Sequence, residues 1–231
     1  MSNNTIITID GPAGSGKSTV AARLAQKLGI AYLDTGAMYR AVTLAALQRG
    51  VPLDNGAELA RMVSNCHIEI TDQPNTCRVW LDGRDVTEAI RSSEVTDQSH
   101  NLARLTKVRE QLVRQQQAIA RKLGSLVTEG RDQGTVVFPQ ANFKFYLDAT
   151  PECRAKRRWN QLQANGADVN YDKILAAQKL RDQRDQSRTI GPLKPAPDAH
   201  IIDTTDMTIE QVVETLYQRV SYSENLPTEK G

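Results

Sequence analysis

Eight residues near the amino terminus, Gly11-Pro12-Ala13-Gly14-Ser15-Gly16-Lys17-Ser18, carry the spacing G-x-x-x-x-G-K-S, with Thr19 following. Glycines so placed let successive backbone N–H groups turn inward around a polyphosphate, the lysine adds a mobile positive charge, and the serine hydroxyl can ligate Mg²⁺. A helix beginning at Lys17 would point the positive end of its dipole at the same anion. This spacing suits a nucleoside triphosphate. A plain glycine-rich turn is the alternative, and the setting disfavours it: an uncharged, β-branched run precedes the motif and a helical repeat follows.

A phosphate-binding loop does not by itself name the acceptor. Three further segments bear on it. In Asp34-Thr35-Gly36-Ala37-Met38-Tyr39-Arg40, Thr35 is placed to cap a helix and Arg40 to turn a fixed charge towards an acceptor phosphate. In Thr128-Glu129-Gly130-Arg131-Asp132, Glu129 sits where an acid orders Mg²⁺ directly or through water, Arg131 suits a phosphate, and Asp132 can accept from an exocyclic amine. Drawn on a helix, Arg181, Arg184, Asp185 and Arg188 share one face, and phosphoryl transfer needs such cations to offset charge on the equatorial oxygens. Arg154, Arg157 and Arg158 form an earlier and weaker cluster. A capped surface helix, a loop salt bridge and a solvated charged face are the ordinary alternatives for these segments. Asn-Lys-x-Asp does not occur, which counts against a GTPase switch.

The elements that must position these groups alternate between strand and helix. Strand patterns fall at residues 5–9, 30–33, 125–128, 143–147 and 200–202, with helical stretches between them, the signature of an α/β parallel sheet. In such a sheet, ligands lie beyond the carboxyl ends of the strands, so the loop at 128–132 should face the same crevice as the glycine-rich loop. After Lys17, Val20, Leu24 and Leu28 share a face while Arg23 and Lys27 can meet water. Ile209, Val212, Val213, Leu216 and Val220 recur at helical spacing behind a Thr208-x-x-Gln211 capping box, and residues 223–231 are expected to fray. Residues 65–91 interrupt the winding with short antiparallel patterns, His67 to Ile70 and Cys77 to Leu81, and an Asp82-Gly83 hairpin turn. Residues 151–197, rich in arginine, read as a mobile cover.

At 231 residues, one α/β domain with insertions is expected over two domains. The net charge of +2, from 29 basic and 27 acidic residues, gives no general attraction to nucleic acid or an acidic membrane, and 5% aromatics is sparse for base stacking. Trp80 and Trp159 read as packing residues, and His67 and His200 as strand residues without a catalytic role. Cys66, Cys77 and Cys153 lack the spacing of a disulfide framework or zinc site. The first residues lack the pattern of a signal peptide and no apolar run nears about 18 residues, so a soluble, cytoplasmic protein is expected.

Together these segments resemble the bacterial cytidylate kinases, of the nucleoside monophosphate kinase group. The match lies in residues 9–19, 33–40, Gly130-Arg131-Asp132-Gln133-Gly134-Thr135-Val136-Val137-Phe138-Pro139 and Arg181-x-x-Arg184-Asp185-x-x-Arg188, in that order across nearly the whole chain. The resemblance implies a P-loop kinase with a five-stranded parallel core, an inserted monophosphate-binding region at 35–104 enlarged by the segment at about 65–91, and an arginine-rich lid at 154–190. It implies ATP plus CMP or dCMP giving ADP plus the diphosphate, with Mg²⁺, no nucleic-acid or membrane partner, and a monomer. It places ATP on Gly11, Pro12, Ala13, Gly14, Ser15, Gly16, Lys17, Ser18 and Thr19, with Mg²⁺ on Ser18 directly and on Asp34 and Glu129 through water. It sets Thr35, Arg109, Asp132 and Arg188 around the pyrimidine, Arg181 and Asp185 at the sugar, and Tyr39, Arg40 and Arg131 at the acceptor phosphate. Catalytic charge is assigned to Lys17 with the lid arginines Arg157 and Arg184 on the donor side, and to Arg40 and Arg131 on the acceptor. Two positions depart from the familiar pattern: His100 replaces a sugar-contacting serine, which leaves CMP against dCMP open, and Glu129 replaces an aspartate.

The mechanism expected is direct in-line transfer to a phosphate oxygen already ionised near neutral pH, without a general base or covalent intermediate. Two rivals stay open on sequence: a kinase for another acceptor, such as UMP or a shikimate-like alcohol, and a nucleotide-sensing module that transfers nothing.

Overall fold

The computed structural model of the chain describes residues 4–73 and 76–224. In chain order its elements are β1 (Ile6–Asp10), α1 (Lys17–Leu28), β2 (Ala31–Asp34), α2 (Thr35–Gln48), α3 (Gly56–Asn65), β3 (Ile68–Gln73), β4 (Thr76–Leu81), β5 (Arg84–Asp85), α4 (Ser93–Ala103), α5 (Thr106–Leu123), β6 (Leu126–Gly130), β7 (Phe143–Asp148), α6 (Pro151–Ala164), α7 (Tyr171–Gln186), β8 (His200–Asp203) and α8 (Ile209–Glu224).

Five strands form one sheet in the order β2-β6-β1-β7-β8, and every pairing in it is parallel. Successive side chains in its strands point to opposite faces. Ile7, Ile9, Val127 and Phe145 pack on one side against Val20 and Leu24 of α1 and Val212 and Leu216 of α8. Leu33 and Leu126 pack on the other against Met38 and Val42 of α2 and Leu112 of α5. Burial of both faces explains why β1 reads as a largely apolar run, with Thr8 as buried as the isoleucines beside it, rather than as an alternation with exposed polar residues. The strand patterns in the sequence are recovered, with β1 and β2 each displaced by one residue. β6 runs on to Gly130, which places Glu129 at a strand end rather than in a loop.

The segment after α3 folds as a separate antiparallel sheet, β3-β4-β5. Asp82 and Gly83 supply its tight turn with φ of 50° and 78°, the left-handed geometry that an Asp-Gly pair favours in hairpins. Val79, Leu81 and Ile70 turn into the same core as α2 and α3, so the insert is packed rather than pendant. His67 lies just before β3 rather than in it, its ring 2.8 Å from the Glu69 carboxylate and exposed. Trp159 donates to the Val169 carbonyl, 3.2 Å away, and Trp80 to the Thr71 hydroxyl. The frayed tail expected at 223–231 falls mostly outside the described residues.

The capping box ahead of α8 is formed in both directions, Gln211 N to Thr208 Oγ1 at 3.2 Å and Thr208 N to Gln211 Oε1 at 2.8 Å. Arg23 and Lys27 of α1, expected to face water, reach Glu210 and Glu214 of α8 across its rim. Leu216 is 0% exposed beneath this pair of helices. Leu216→Ala is expected to lower stability by about 2–5 kcal/mol in urea unfolding, because the cavity it leaves closes only in part.

Candidate active site

The carboxyl ends of β1, β2 and β6 converge, and the charged segments follow from them. In the sheet register Asp10 faces Gly130, and Asp34 faces Glu129. Leaving β1, the chain makes the glycine-rich loop. Gly11 has φ of 149° and lies so close to the Leu147 carbonyl that a Cβ would overlap it. Gly16 stands at the N-cap of α1 in left-handed conformation with no side-chain cap, leaving the first-turn N–H groups of α1 without a side-chain acceptor. Ser15 is 1% exposed, and its hydroxyl has no partner among the described residues. A buried polar atom without a partner is costly unless a ligand completes it, and a phosphate oxygen fits that place.

Lys17 is buried and donates to the Pro12 carbonyl at 2.9 Å. Burial first, and then Arg131, push its ammonium down to about 7, against the pull of Glu129. Ser18 Oγ donates to Glu129 Oε1 at 2.7 Å, which brings together a hydroxyl and a carboxylate of the kind that orders Mg²⁺ beside phosphates. The described residues hold no cluster of three or more His, Cys, Asp or Glu side chains able to cage a metal on their own. The pair at Ser18 and Glu129 therefore fits an ion that takes its remaining ligands from phosphate and water.

The other charged groups gather around the same strand ends. Asp34 caps α2, accepting from Ala37 N at 2.8 Å, and its second oxygen holds Arg40 at 3.0 Å. This corrects the expectation that Thr35 is the cap: Thr35, 3% exposed, donates instead to the Glu129 carbonyl at 2.7 Å and so ties α2 to β6. Arg131 donates from Nε to Asp185 Oδ2 at 2.8 Å, and Arg188 binds the other oxygen of the same carboxylate. Although burial works to raise it, the Asp185 carboxyl is held below its ordinary range by these two guanidiniums. Arg109 is paired with Asp132, both almost fully buried, and its guanidinium lies 5.8 Å from the Tyr39 ring centre. Burial alone would lower Arg109, but Tyr39 and Asp132 hold it above its usual range. Gly191, with φ of 60°, closes over this pair, and a Cβ there would overlap both Arg109 and Asp132.

The arginine strip is only partly helical. α7 ends at Gln186 with Ser187 as its C-cap, so Arg188 stands beyond the helix and reaches Asp185 from there. The β-branched Thr189 and Ile190 and the Gly191-Pro192 pair that follow favour extended and turning backbone over helix. Arg181 and Arg184 are exposed, and no ion pair holds either among the described residues. Although the Arg181 side chain keeps exposed surface, the protein around its guanidinium and then the neighbouring Arg131 push it down to about 10. Arg157 donates to the Thr204 hydroxyl at 3.2 Å and also to its carbonyl. Arg158 is exposed and bonds Gln161. Arg154 is 3% exposed and joins the Ala149 and Ala13 carbonyls to Asp182 of α7, which makes it a strut between the glycine-rich loop and α7. His100 is half-buried, its imidazole pushed down by burial and then by the charges of Arg184, Arg181 and Arg104.

Some buried groups in the site have no individual role in the sequence reading. Asp10, 3% exposed, accepts from the backbone N–H groups of Gln133 and Gly134, each at 2.8 Å, while burial pushes its carboxyl up to about 7. Gln133 accepts from the Thr128 hydroxyl at 3.0 Å and donates to Gln116 at 3.3 Å. A signal was available for Asp10: a carboxylate closing an otherwise apolar central strand must find partners.

Comparison with known proteins places the chain. The family model described as cytidylate kinase matches residues 7–222. Over 223 residues the chain is 47% identical to the cytidylate kinase of Shewanella loihica, covering 96% of each. With the cytidylate kinase of Vibrio cholerae it shares 43% identity over 221 residues, 95% of this chain and 98% of that one. Among solved structures, an uncharacterized protein from Eubacterium ventriosum superposes with a TM-score of 0.51 at 14% identity, covering 95% of this chain and 99% of that one, a likeness of fold alone.

Asp185 neutralises two guanidiniums in the interior of the site, so removing it leaves both uncompensated. Asp185→Ala is expected to cost about 3–5 kcal/mol in chemical unfolding.

Proposed function

Because the chain belongs to the cytidylate kinase family, we propose that it transfers the terminal phosphoryl group of ATP to the 5′-phosphate of CMP or dCMP, giving ADP and CDP or dCDP. The observation that carries this reading is the facing of two anion cradles at neighbouring strand ends. One is the glycine-rich loop, with the unpartnered Ser15 hydroxyl and Lys17; the other is the pair Arg40 and Arg131, each held by a carboxylate.

Residues 11–19 hold the ATP polyphosphate, Lys17 follows the charge that moves during transfer, and Arg157 and Arg184 supply further donor-side charge. Mg²⁺, when bound, screens the polyphosphate and polarises the phosphorus that is attacked. Ser18 would ligate it directly, with Asp34 and Glu129 acting through water. Tyr39, Arg40 and Arg131 take the acceptor phosphate, Thr35, Arg109, Asp132 and Arg188 surround the cytosine, and Arg181 and Asp185 hold the sugar. An oxygen of the acceptor phosphate forms the new bond to phosphorus as the bond to the ADP oxygen breaks. That oxygen is already ionised near neutral pH, so the protein's contribution is alignment and charge. Asp132 accepts from the cytosine amine and repels the carbonyl oxygen that uracil presents in its place.

Two present partners act as stand-ins: Asp185 occupies Arg131 until phosphate arrives and frees it for the sugar, and Arg109 occupies Asp132 until the amine does. Residues 35–104 serve as the monophosphate-binding region, with the insert at about 65–91, and residues 154–190 as the lid whose closure excludes water from ATP. No helix among the described residues is long and apolar enough to cross a membrane. We read the enzyme as a cytoplasmic monomer.

A coupled assay over a panel of acceptors tests this directly: CMP and dCMP should be phosphorylated, with UMP far poorer, and absence of diphosphate from every acceptor would favour a sensing module. Arg131→Ala and Arg40→Ala are each expected to lower kcat/KM for CMP by roughly 10²-fold or more; unchanged values would sink the acceptor-phosphate assignment. Asp132→Ala should shrink the preference for CMP over UMP at least about tenfold, and an unchanged ratio would contradict the base reading.

A further inference from the structure

We propose that Asp10 is a positioning residue for the acceptor nucleotide, holding the turn that carries Arg131 and Asp132 in register with the glycine-rich loop. This rests on the reading of Arg131 as a phosphate contact and Asp132 as a base contact.

The geometry encloses those two residues from both sides. Gly130, just before them, is the sheet partner of Asp10. Gln133 and Gly134, just after them, give their backbone N–H groups to the two oxygens of the Asp10 carboxylate, at 2.8 Å each. One residue of β1 therefore fixes both ends of a two-residue span. Beyond the span, residues Gln133–Val137 form a single π-helical turn whose own bonds run from Val136 and Val137 back to the Asp132 carbonyl. Those bonds do not use the Gln133 and Gly134 N–H groups, so the carboxylate supplies the acceptors the turn lacks at its start. The Gln133 side chain is locked in turn by Thr128 and the fully buried Gln116. With both flanks held by these bonds, Arg131 meets Asp185 and Asp132 meets Arg109.

The residue type supports this role. Two adjacent N–H donors need two acceptors on one short side chain, which only a carboxylate at this place provides. An asparagine offers one acceptor and sets its own N–H₂ group against the second donor. Keeping a carboxylate almost fully buried is unfavourable unless it is hydrogen-bonded, and an uncharged residue would have completed β1 more cheaply. Asp10 also immediately precedes Gly11, so the same residue that anchors the acceptor turn begins the donor loop. Displacing reacting groups by about 1 Å can cost roughly 10²-fold in rate, which is the scale on which such an anchor acts.

The test is Asp10→Asn in the full-length enzyme, assayed against CMP, UMP and ATP separately. We expect the KM for CMP to rise roughly tenfold or more and the CMP-over-UMP preference to shrink by a similar factor, while the KM for ATP moves by less than about threefold. An unchanged base preference, or equal losses for CMP and ATP, would overturn the proposal, because a purely structural role would not single out the acceptor. If Asp10→Asn does not fold, amide exchange in the wild-type protein decides: the Gln133 and Gly134 amides should exchange slowly and more slowly still with CMP bound. Rapid exchange of either amide in the CMP complex would overturn it. Failure of the wild-type enzyme to phosphorylate CMP would instead refute the substrate reading, and leaves the exchange result to judge Asp10 as the anchor of its turn.

Discussion

A site built to bring two phosphate-bearing anions together must concentrate positive charge, and that charge must be tolerated when neither anion is present. Arginine and lysine side chains crowded into a low-dielectric crevice repel one another and lose solvent. The effect is visible in Lys17, pushed down to about 7, and Arg181, pushed down to about 10. The structure meets this constraint with carboxylates placed one by one: Asp34 for Arg40, Asp185 for Arg131 and Arg188 together, and Asp132 for Arg109. Glu129 accepts from the Ser18 hydroxyl and pulls Lys17 back towards its charged form. Each of these acids is held on a strand end, a helix or a turn that is itself pinned, so the charges do not collapse onto the wrong partners.

The rest of the architecture follows from where those acids must stand. Parallel pairing of β2, β6 and β1 brings Asp34, Glu129 and Asp10 to one edge of the sheet in adjacent registers, a placement that an antiparallel arrangement of the same strands would scatter. Helices α1 and α8 on one face and α2 to α5 on the other bury most of β1, β2 and β6, the strands whose ends carry these acids. Arg154 then ties α7 to the glycine-rich loop, so the segment bearing Asp185 is attached to the donor side as well as to the acceptor side.

Much of this was legible in the sequence, for identifiable reasons. Strand and helix periodicity is strong where both faces of the sheet are buried, and the glycine-rich loop is constrained by backbone geometry that few residue types satisfy. The Thr208-x-x-Gln211 capping box is local and was readable as such. What could not be read was set by contacts distant in sequence. Asp34 takes the cap of α2 because Thr35 is drawn away to the Glu129 carbonyl, a bond spanning 94 positions. That Gly191 closes over Arg109 and Asp132 is a contact across distant positions, although the residues after Arg188 carry a local signal for the end of the helix. Arg154 looked like a phosphate-facing cation until its burial beneath the loop was evident. The partners of Asp10 lie 123 and 124 positions away, so its carboxylate could be recognised as needing satisfaction but not as serving the turn at Gln133.

At the centre of the proposed reaction is an exchange of partners, in which the acceptor phosphate would replace Asp185 on Arg131. A crystal structure of the enzyme with CMP measures that exchange most directly. The account predicts the Arg131 guanidinium within hydrogen-bonding distance of the CMP phosphate and parted from the Asp185 carboxylate, with the cytosine amine on Asp132. An Arg131 still bound to Asp185, with the phosphate held elsewhere, would contradict it.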